Sequence, residues 1–183
     1  MQVIAEGYEE VRSYVEGQLH RQVRGPCRCP NCEAFGTLSV LGYYWRYVFS
    51  LCSPSEFLIG VRRFRCSACA VTVSMLPAFA QPHHHLGNDI LDELVSGNIP
   101  PSLQRHTGIF AGMVKRFGRF RRKLFSEVGL GFGRDPPQKE VPDLETIKWL
   151  WKQNQKRFRL TTTNLVRHYR CTVFGKYSCH QPT

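Results

Sequence analysis

The chain has 183 residues, 42% hydrophobic and 21% charged, a globular composition that excludes a disordered or fibrous protein. Lys and Arg number 25 against 14 Asp and Glu, a formal net charge of +11 that directs attention to a polyanionic partner, nucleic acid first. No stretch approaches the roughly 18 apolar residues of a membrane span. The start, with Glu6, Glu9, Glu10 and Glu16, lacks the layout of a signal peptide, so the expectation is a cytoplasmic protein without a membrane partner.

Residues 1–24 carry that acidic start, and a short helix is expected over about residues 5–18. Residues 37–51 and 57–75 are rich in β-branched and aromatic side chains, so strands are expected there. A Pro-bearing turn, Leu76 to Pro82, leads into helical patterning. Ile90, Leu91, Leu94 and Val95 form one helical stripe, with Asn88 as its cap and Gly97 as its end. Pro100 and Pro101 open a short second helix over Ser102–His106. Thr107-Gly108 is expected as a turn, and a long helix follows with its apolar stripe at Ile109, Met113, Phe117, Phe120 and Leu124. Residues 129–142, with Gly129, Gly131, Gly133 and three prolines, read as a linker. An amphipathic helix from Asp143 to Arg157 opens the last segment, and Thr163 is expected to cap another through Tyr169.

Eight cysteines frame the chemistry, and two pairs of them have C-x-x-C spacing: Cys29 with Cys32, and Cys66 with Cys69. Without a secretion signal such pairs point to metal rather than to a disulfide framework. Each pair is a tight turn presenting two thiolates, and two turns supply the four corners of a closed structural Zn²⁺ site. Strand-like sequence between the pairs returns the second turn to the first. Cys27 and Cys52 are expected as spectators, Cys52 as a buried thiol. Four thiolates leave no open position on the metal, so the site supports the fold and does no chemistry.

Basic residues concentrate in two blocks. Residues 105–123 hold Arg105, Lys115, Arg116, Arg119, Arg121, Arg122 and Lys123 without one acid, and residues 146–170 hold seven more. Three helices with a glycine turn before a basic third one describe a helix-turn-helix. Phe110, Ala111, Gly112, Lys115 and Arg116 are then placed to reach base edges, and the later arginines to reach phosphate. The DNA-binding candidates are Arg105, Lys115, Arg116, Arg119, Arg122 and Lys123. Gly112 and Gly118 fit an ideal helix poorly and read as a close approach to DNA or as a kink.

The run Val61-Arg62-Arg63-Phe64-Arg65-Cys66-Ser67-Ala68-Cys69, followed by Thr72-Val73-Ser74-Met75-Leu76-Pro77-Ala78-Phe79, resembles a zinc-ribbon module of bacterial insertion-sequence transposases and their small relatives. The upstream Cys29-Pro30-Asn31-Cys32 and the stretch from Thr107-Gly108 to Val114-Lys115-Arg116-Phe117 extend the resemblance over about residues 27–125. It implies binding to double-stranded DNA of a mobile element. The chain departs from that family at His83, His84 and His85, where the relatives place Tyr and Arg. Beyond residue 126 there is no set of spaced acids for DNA cleavage, so no catalytic residue and no enzymatic activity is expected.

The expected fold class is therefore α+β: a zinc-ribbon β domain at 25–82, a three-helix helix-turn-helix at 83–128, and a basic helical extension at 143–183. Consecutive His83, His84 and His85 point in different directions and read as phosphate contacts or ordinary surface. His168, Cys171, Cys179 and His180 have ligand types but no C-P-x-C turn, and read as unrelated residues. The function expected is non-catalytic recognition of DNA. Its rivals are an adaptor that docks a larger transposase or effector through Trp149 and Trp151, and an RNA-binding ribbon that stacks bases on Tyr43, Tyr44 and Trp45.

Overall fold

The computed structural model describes residues 1–52, 55–128, 140–169 and 171–176. It is a mixed α+β chain that divides into a first unit, Met1–Gly87, and a second, Asn88–Lys176.

The first unit is built on a four-stranded sheet of β1 (Gln2–Ala5), β2 (Leu38–Phe49), β3 (Glu56–Cys66) and β4 (Thr72–Pro77), in the order β1-β4-β3-β2. The β-branched and aromatic content of residues 38–66 produces the long antiparallel hairpin of β2 and β3, which runs from Leu38↔Cys66 to Phe49↔Glu56. A bulge between Val40 and Gly42 interrupts the register. Gly42 sits there at φ +126, a conformation that a side chain would oppose. The strand expected over 57–75 is two strands, because the second cysteine turn breaks it.

The acidic helix expected over 5–18 is shorter and is preceded by a strand the sequence did not indicate. Residues 2–5 form β1, parallel to β4 with Gln2 opposite Ser74 and Ala5 opposite Pro77. A partner some seventy residues away decides this, so local pattern could not show it. The helix itself, α1, is shorter (Val11–Glu16). Glu10 caps it, its carboxylate accepting from the N–H groups of Arg12 and Ser13 at 2.9 and 2.7 Å. The buried Tyr14 hydroxyl donates to the Gly60 carbonyl at 2.8 Å and so ties α1 to β3. Gly60 is required at that point, since a Cβ there would lie 2.8 Å from the His20 ring.

The second unit contains α2 (Asn88–Ser96), a 3-10 segment (Pro101–His106), α3 (Thr107–Val128), α4 (Asp143–Gln153), α5 (Phe158–Tyr169) and a two-residue hairpin, β5 (Cys171–Thr172) with β6 (Gly175–Lys176). Gly97, at φ +88, ends α2 as the sequence indicates. The core takes Ile90, Leu91, Phe117, Leu124, Ile147, Leu150, Phe158 and Leu165, all essentially inaccessible. Each such side chain contributes about 1.5–3 kcal/mol relative to leaving it in water.

Three expectations here are corrected. No turn forms at Thr107-Gly108; these residues are the first turn of α3, and the 3-10 segment runs straight into it. The apolar stripe starts one residue later, at Phe110, because Ile109 is 47% exposed while Phe110 is buried. The last helix, likewise, begins at Phe158 and not at Thr163. Its cap comes from α2: the Asp92 carboxylate accepts from the Phe158 N–H at 2.5 Å and from Trp151 Nε1 at 2.8 Å. Burial holds the Asp92 carboxyl above its usual range, against the pull of these two donors. The linker expected at 129–142 lies outside the described residues except for 140–142.

Candidate metal centre and cationic helix face

The two C-x-x-C turns are built alike. In the first, the Glu33 N–H donates to the Cys29 carbonyl at 2.8 Å and the Cys29 N–H to Ala34 O at 3.0 Å. In the second, Ala70 N–H donates to Cys66 O and Cys66 N–H to Val71 O, both at 3.0 Å. The residue after each pair, Glu33 or Ala70, is left-handed at φ +61 and +58. That strain closes the turn and points both thiols the same way. The first turn stands before β2, and the second joins β3 to β4. The hairpin register, with Leu38 opposite Cys66, brings them together.

All four Sγ atoms, of Cys29, Cys32, Cys66 and Cys69, lie within 4.8 Å of one another. Cys29 to Cys69 and Cys32 to Cys66 are each 3.7 Å. A tetrahedron with metal–sulfur bonds of about 2.3 Å has edges of about 3.8 Å. The donor set therefore fits one four-coordinate thiophilic cation. Among the described residues this is the cluster of ligand-type side chains that could hold a metal.

The thiols are not equivalent. Thr37 Oγ1 lies 3.1 Å from Cys66 Sγ and, with the N–H groups of Cys69 and Ala68, brings that thiol down to about 6 despite its burial. The Val71 N–H lowers Cys69 in the same way. On Cys32 the Ala34 N–H is the largest single influence and pulls downward, yet burial and the sulfurs of Cys69, Cys29 and Cys66 together push it up to about 12. Four adjacent thiols resist four negative charges until a shared cation offsets them. Thr37 had no signal in the sequence, being distant from Cys66 in the chain.

The other ligand-type residues do not assemble. Cys27 is exposed and Cys52 is half-buried, not fully buried as expected; neither belongs to the cluster. His85 is engaged locally, its Nδ1 3.0 Å from the Tyr47 carbonyl, while its own carbonyl accepts from Phe49 N–H at 2.8 Å. Cys171 is fully buried whereas His168 is exposed, and they form no ligand group. Cys179 and His180 lie outside the described residues.

The cationic face is on α3. Phe110, Met113, Phe117 and Leu124 are buried on one side, and Lys115, Arg116, Arg119 and Arg122 are exposed on the other. Positions 108, 111 and 112 continue that exposed face toward the N-terminus as Gly108, Ala111 and Gly112. Among the described residues, none of these four cations has a carboxylate within salt-bridge distance. The side chain of Lys123 lies outside the described residues. Arg105 is exposed on the 3-10 segment and donates from Nε to His106 Nε2 at 3.2 Å. Phe110 is withdrawn into the core and is removed from the residues expected to reach base edges.

Gly118 has a structural use instead of the expected close approach to DNA. A Cβ there would lie 2.2 Å from Asp143 Oδ2, so glycine admits the start of α4. Arg121 secures the junction, donating to Val141 O at 2.6 Å and pairing with Asp143 at 3.4 Å.

The residues named for the rival functions also sort. Trp151 is buried and bonded to Asp92, which takes it away from any docking surface. Trp149 packs on Phe125 with ring centroids 6.1 Å apart. Tyr43 and Trp45 are exposed, but Tyr44 points to the other side of β2, where its hydroxyl accepts from Gln2 Nε2 at 3.2 Å. Tyr47, missed by sequence reasoning, takes the third outward position; strand alternation alone could have placed it there.

A family model described as a domain of unknown function, DUF6431, matches residues 29–115, from the first ligand cysteine to the first cation of the α3 face. No curated protein and no solved structure matches the chain. Over those residues the chain is similar to the DUF6431 domain, and the similarity takes in both cysteine turns, the hairpin and the first two turns of α3.

Proposed function

We propose that this is a non-catalytic DNA-binding protein whose first unit is a zinc ribbon and whose α3 lies against duplex DNA. The carrying observation is the charge on α3: Lys115, Arg116, Arg119 and Arg122 exposed on one face, opposite a buried apolar face. Such an array neutralises phosphates and releases their counterions, which is the main source of affinity for a duplex. Zinc is the metal that suits four cysteines at tetrahedral spacing, and with its coordination full it is structural. In place of a helix-turn-helix with a glycine turn, α2 and the 3-10 segment lead directly into α3. The bare positions 108, 111 and 112 let the first turns of α3 approach the groove, with Lys115 and Arg116 nearest the base edges. The resemblance to transposase modules supports DNA of a mobile element as the target.

The test is binding of the purified protein to a selected duplex and to a scrambled one. Arg116→Ala is expected to cost about 1–3 kcal/mol on the selected site and to relax preference. Arg122→Ala is expected to weaken both duplexes alike. Equal losses for both variants on both duplexes, or no duplex binding by the unaltered protein, contradict groove reading by α3.

A further inference from the structure

A strand with one buried face presents every second side chain outward. On β2 those side chains are Tyr43, Trp45 and Tyr47, which are 47%, 54% and 50% exposed, while Val48 on β2 and Ile59 and Val61 on β3, at positions of the opposite face, are fully buried. Across the hairpin, on the same outward face, stand Arg62 opposite Tyr43, Gly60 opposite Trp45 and Leu58 opposite Tyr47. Strand formation asks only for β-branched or aromatic residues, and Thr would serve at less cost in exposed apolar surface. Three large rings in succession, with no role in the α3 reading, call for a ligand.

The chemistry of that ligand can be read from three features. The rings are held in place: His20, seated on Gly60, meets Tyr43 and Trp45 edge-on at 5.2 and 5.3 Å. Beside Trp45 a cleft of about 260 Å³ is lined by Tyr14, His20, Arg21, Leu58 and Gly60, and no carboxylate is among its walls. Arg21 is the cation of its wall, and Arg62 on β3 stands next to it, its guanidinium donating to the Arg21 carbonyl and lying 5.7 Å from the Phe64 ring. A protein partner would be served equally by aliphatic side chains. Flat rings beside an acid-free cationic cleft complement a flat base carried on a phosphodiester.

Ring geometry narrows the choice further. The Tyr43 and Trp45 rings meet edge-to-face at 73° with centroids 6.3 Å apart, so they offer no pair of parallel faces to two bases that remain stacked on each other. Bases bound here must be unstacked, each against its own ring, which a duplex does not allow. We infer that the outward face of the β2–β3 hairpin binds a single-stranded nucleic acid, stacking unpaired bases on Tyr43, Trp45 and Tyr47 with phosphate near Arg21 and Arg62. This inference does not depend on duplex binding by α3.

The test uses the full, zinc-loaded chain with labelled oligothymidylate and oligouridylate of about 15 nucleotides, and a duplex of equal length. Fluorescence anisotropy gives the affinities. Trp45→Ala is expected to weaken both single strands about ten-fold or more, Trp45→Phe to restore most of the loss, and duplex affinity to stay unchanged. Tyr47→Ala, at an exposed position, repeats the test, with zinc content and far-UV circular dichroism as controls on folding. Tighter binding of oligouridylate identifies RNA as the source of the strand; equal binding identifies any unpaired strand. Single-strand affinities unaltered in both alanine variants overturn the inference, as does failure of the unaltered protein to bind either oligonucleotide. It is also overturned if Trp45→Ala abolishes self-association without changing oligonucleotide binding. A variant lacking the α3 cations is expected to lose duplex and not single-strand binding, so the two readings fail separately.

Discussion

Cys66 concentrates the demands placed on the first unit. It is fully buried, ends β3, faces Leu38 across the hairpin and lies 3.7 Å from Cys32. Replacing it by Ser removes one of the four candidate ligands and leaves three thiols. Because the binding free energy of a structural metal is largely folding free energy, Cys66→Ser is expected to lose the metal and the ordered first unit together. Elemental analysis of the unaltered protein is expected to give one zinc per chain. Zinc-free native protein, or a folded variant that keeps its zinc, contradicts the site. His106 makes a different demand: burial first, and Arg105 second, hold its ring below the usual 6.5. The unfolded chain then binds a proton that the folded chain refuses, so stability falls as pH drops from about 6.5 toward the lowered value. Urea titrations across that range are expected to show the fall, and His106→Gln to make it shallower. An unchanged slope in the variant means that His106 is not its source. The cysteine ligands could be read in the sequence because the C-x-x-C turn is a local motif. Thr37 beside Cys66, and Asp92 capping α5, could not, because each acts on a residue far along the chain.

At the scale of elements, the two interior glycines of α3 look alike in sequence and differ in place. Gly112 is exposed with nothing near an added Cβ, whereas a Cβ on Gly118 would strike Asp143. Gly112→Ala is therefore expected to raise stability by about 1 kcal/mol, the helix-propensity gain. Gly118→Ala is expected to forfeit that gain, because Asp143 must move and its pairing with Arg121 at 3.4 Å is lost. Thermal melts of the two variants decide it, and equal shifts contradict the close approach of α4. The strands of 38–66 and the helix α2 follow from periodicity and turn residues, so they were legible. β1 and the start of α5 were not, since a parallel partner in β4 and a carboxylate on α2 decide them. The glycine turn expected at Thr107 failed for a related reason. Glycine permits a turn without requiring one, and here the 3-10 segment keeps a helical sense into α3.

For the whole molecule, the formal charge of +11 indicates a polyanion but leaves open which side chains meet it. The structure separates basic residues that hold the fold from those that face outward. Arg121 bonds to Val141 and Asp143, and Arg46 donates to the carbonyls of Gln81 and His84, so neither is available in the way net charge implies. Among the outward-facing bases, Lys115, Arg116, Arg119 and Arg122 form one array along α3, and the duplex binding proposed above is assigned to them. The most direct test is the salt dependence of duplex binding for the unaltered protein and for a variant with all four replaced by Gln. Each phosphate contact contributes about 0.9 to the slope of log affinity against log salt, so the variant's slope is expected to be smaller by roughly 3–4 units. A slope unchanged by the four substitutions contradicts the account and places the DNA contacts elsewhere on the chain.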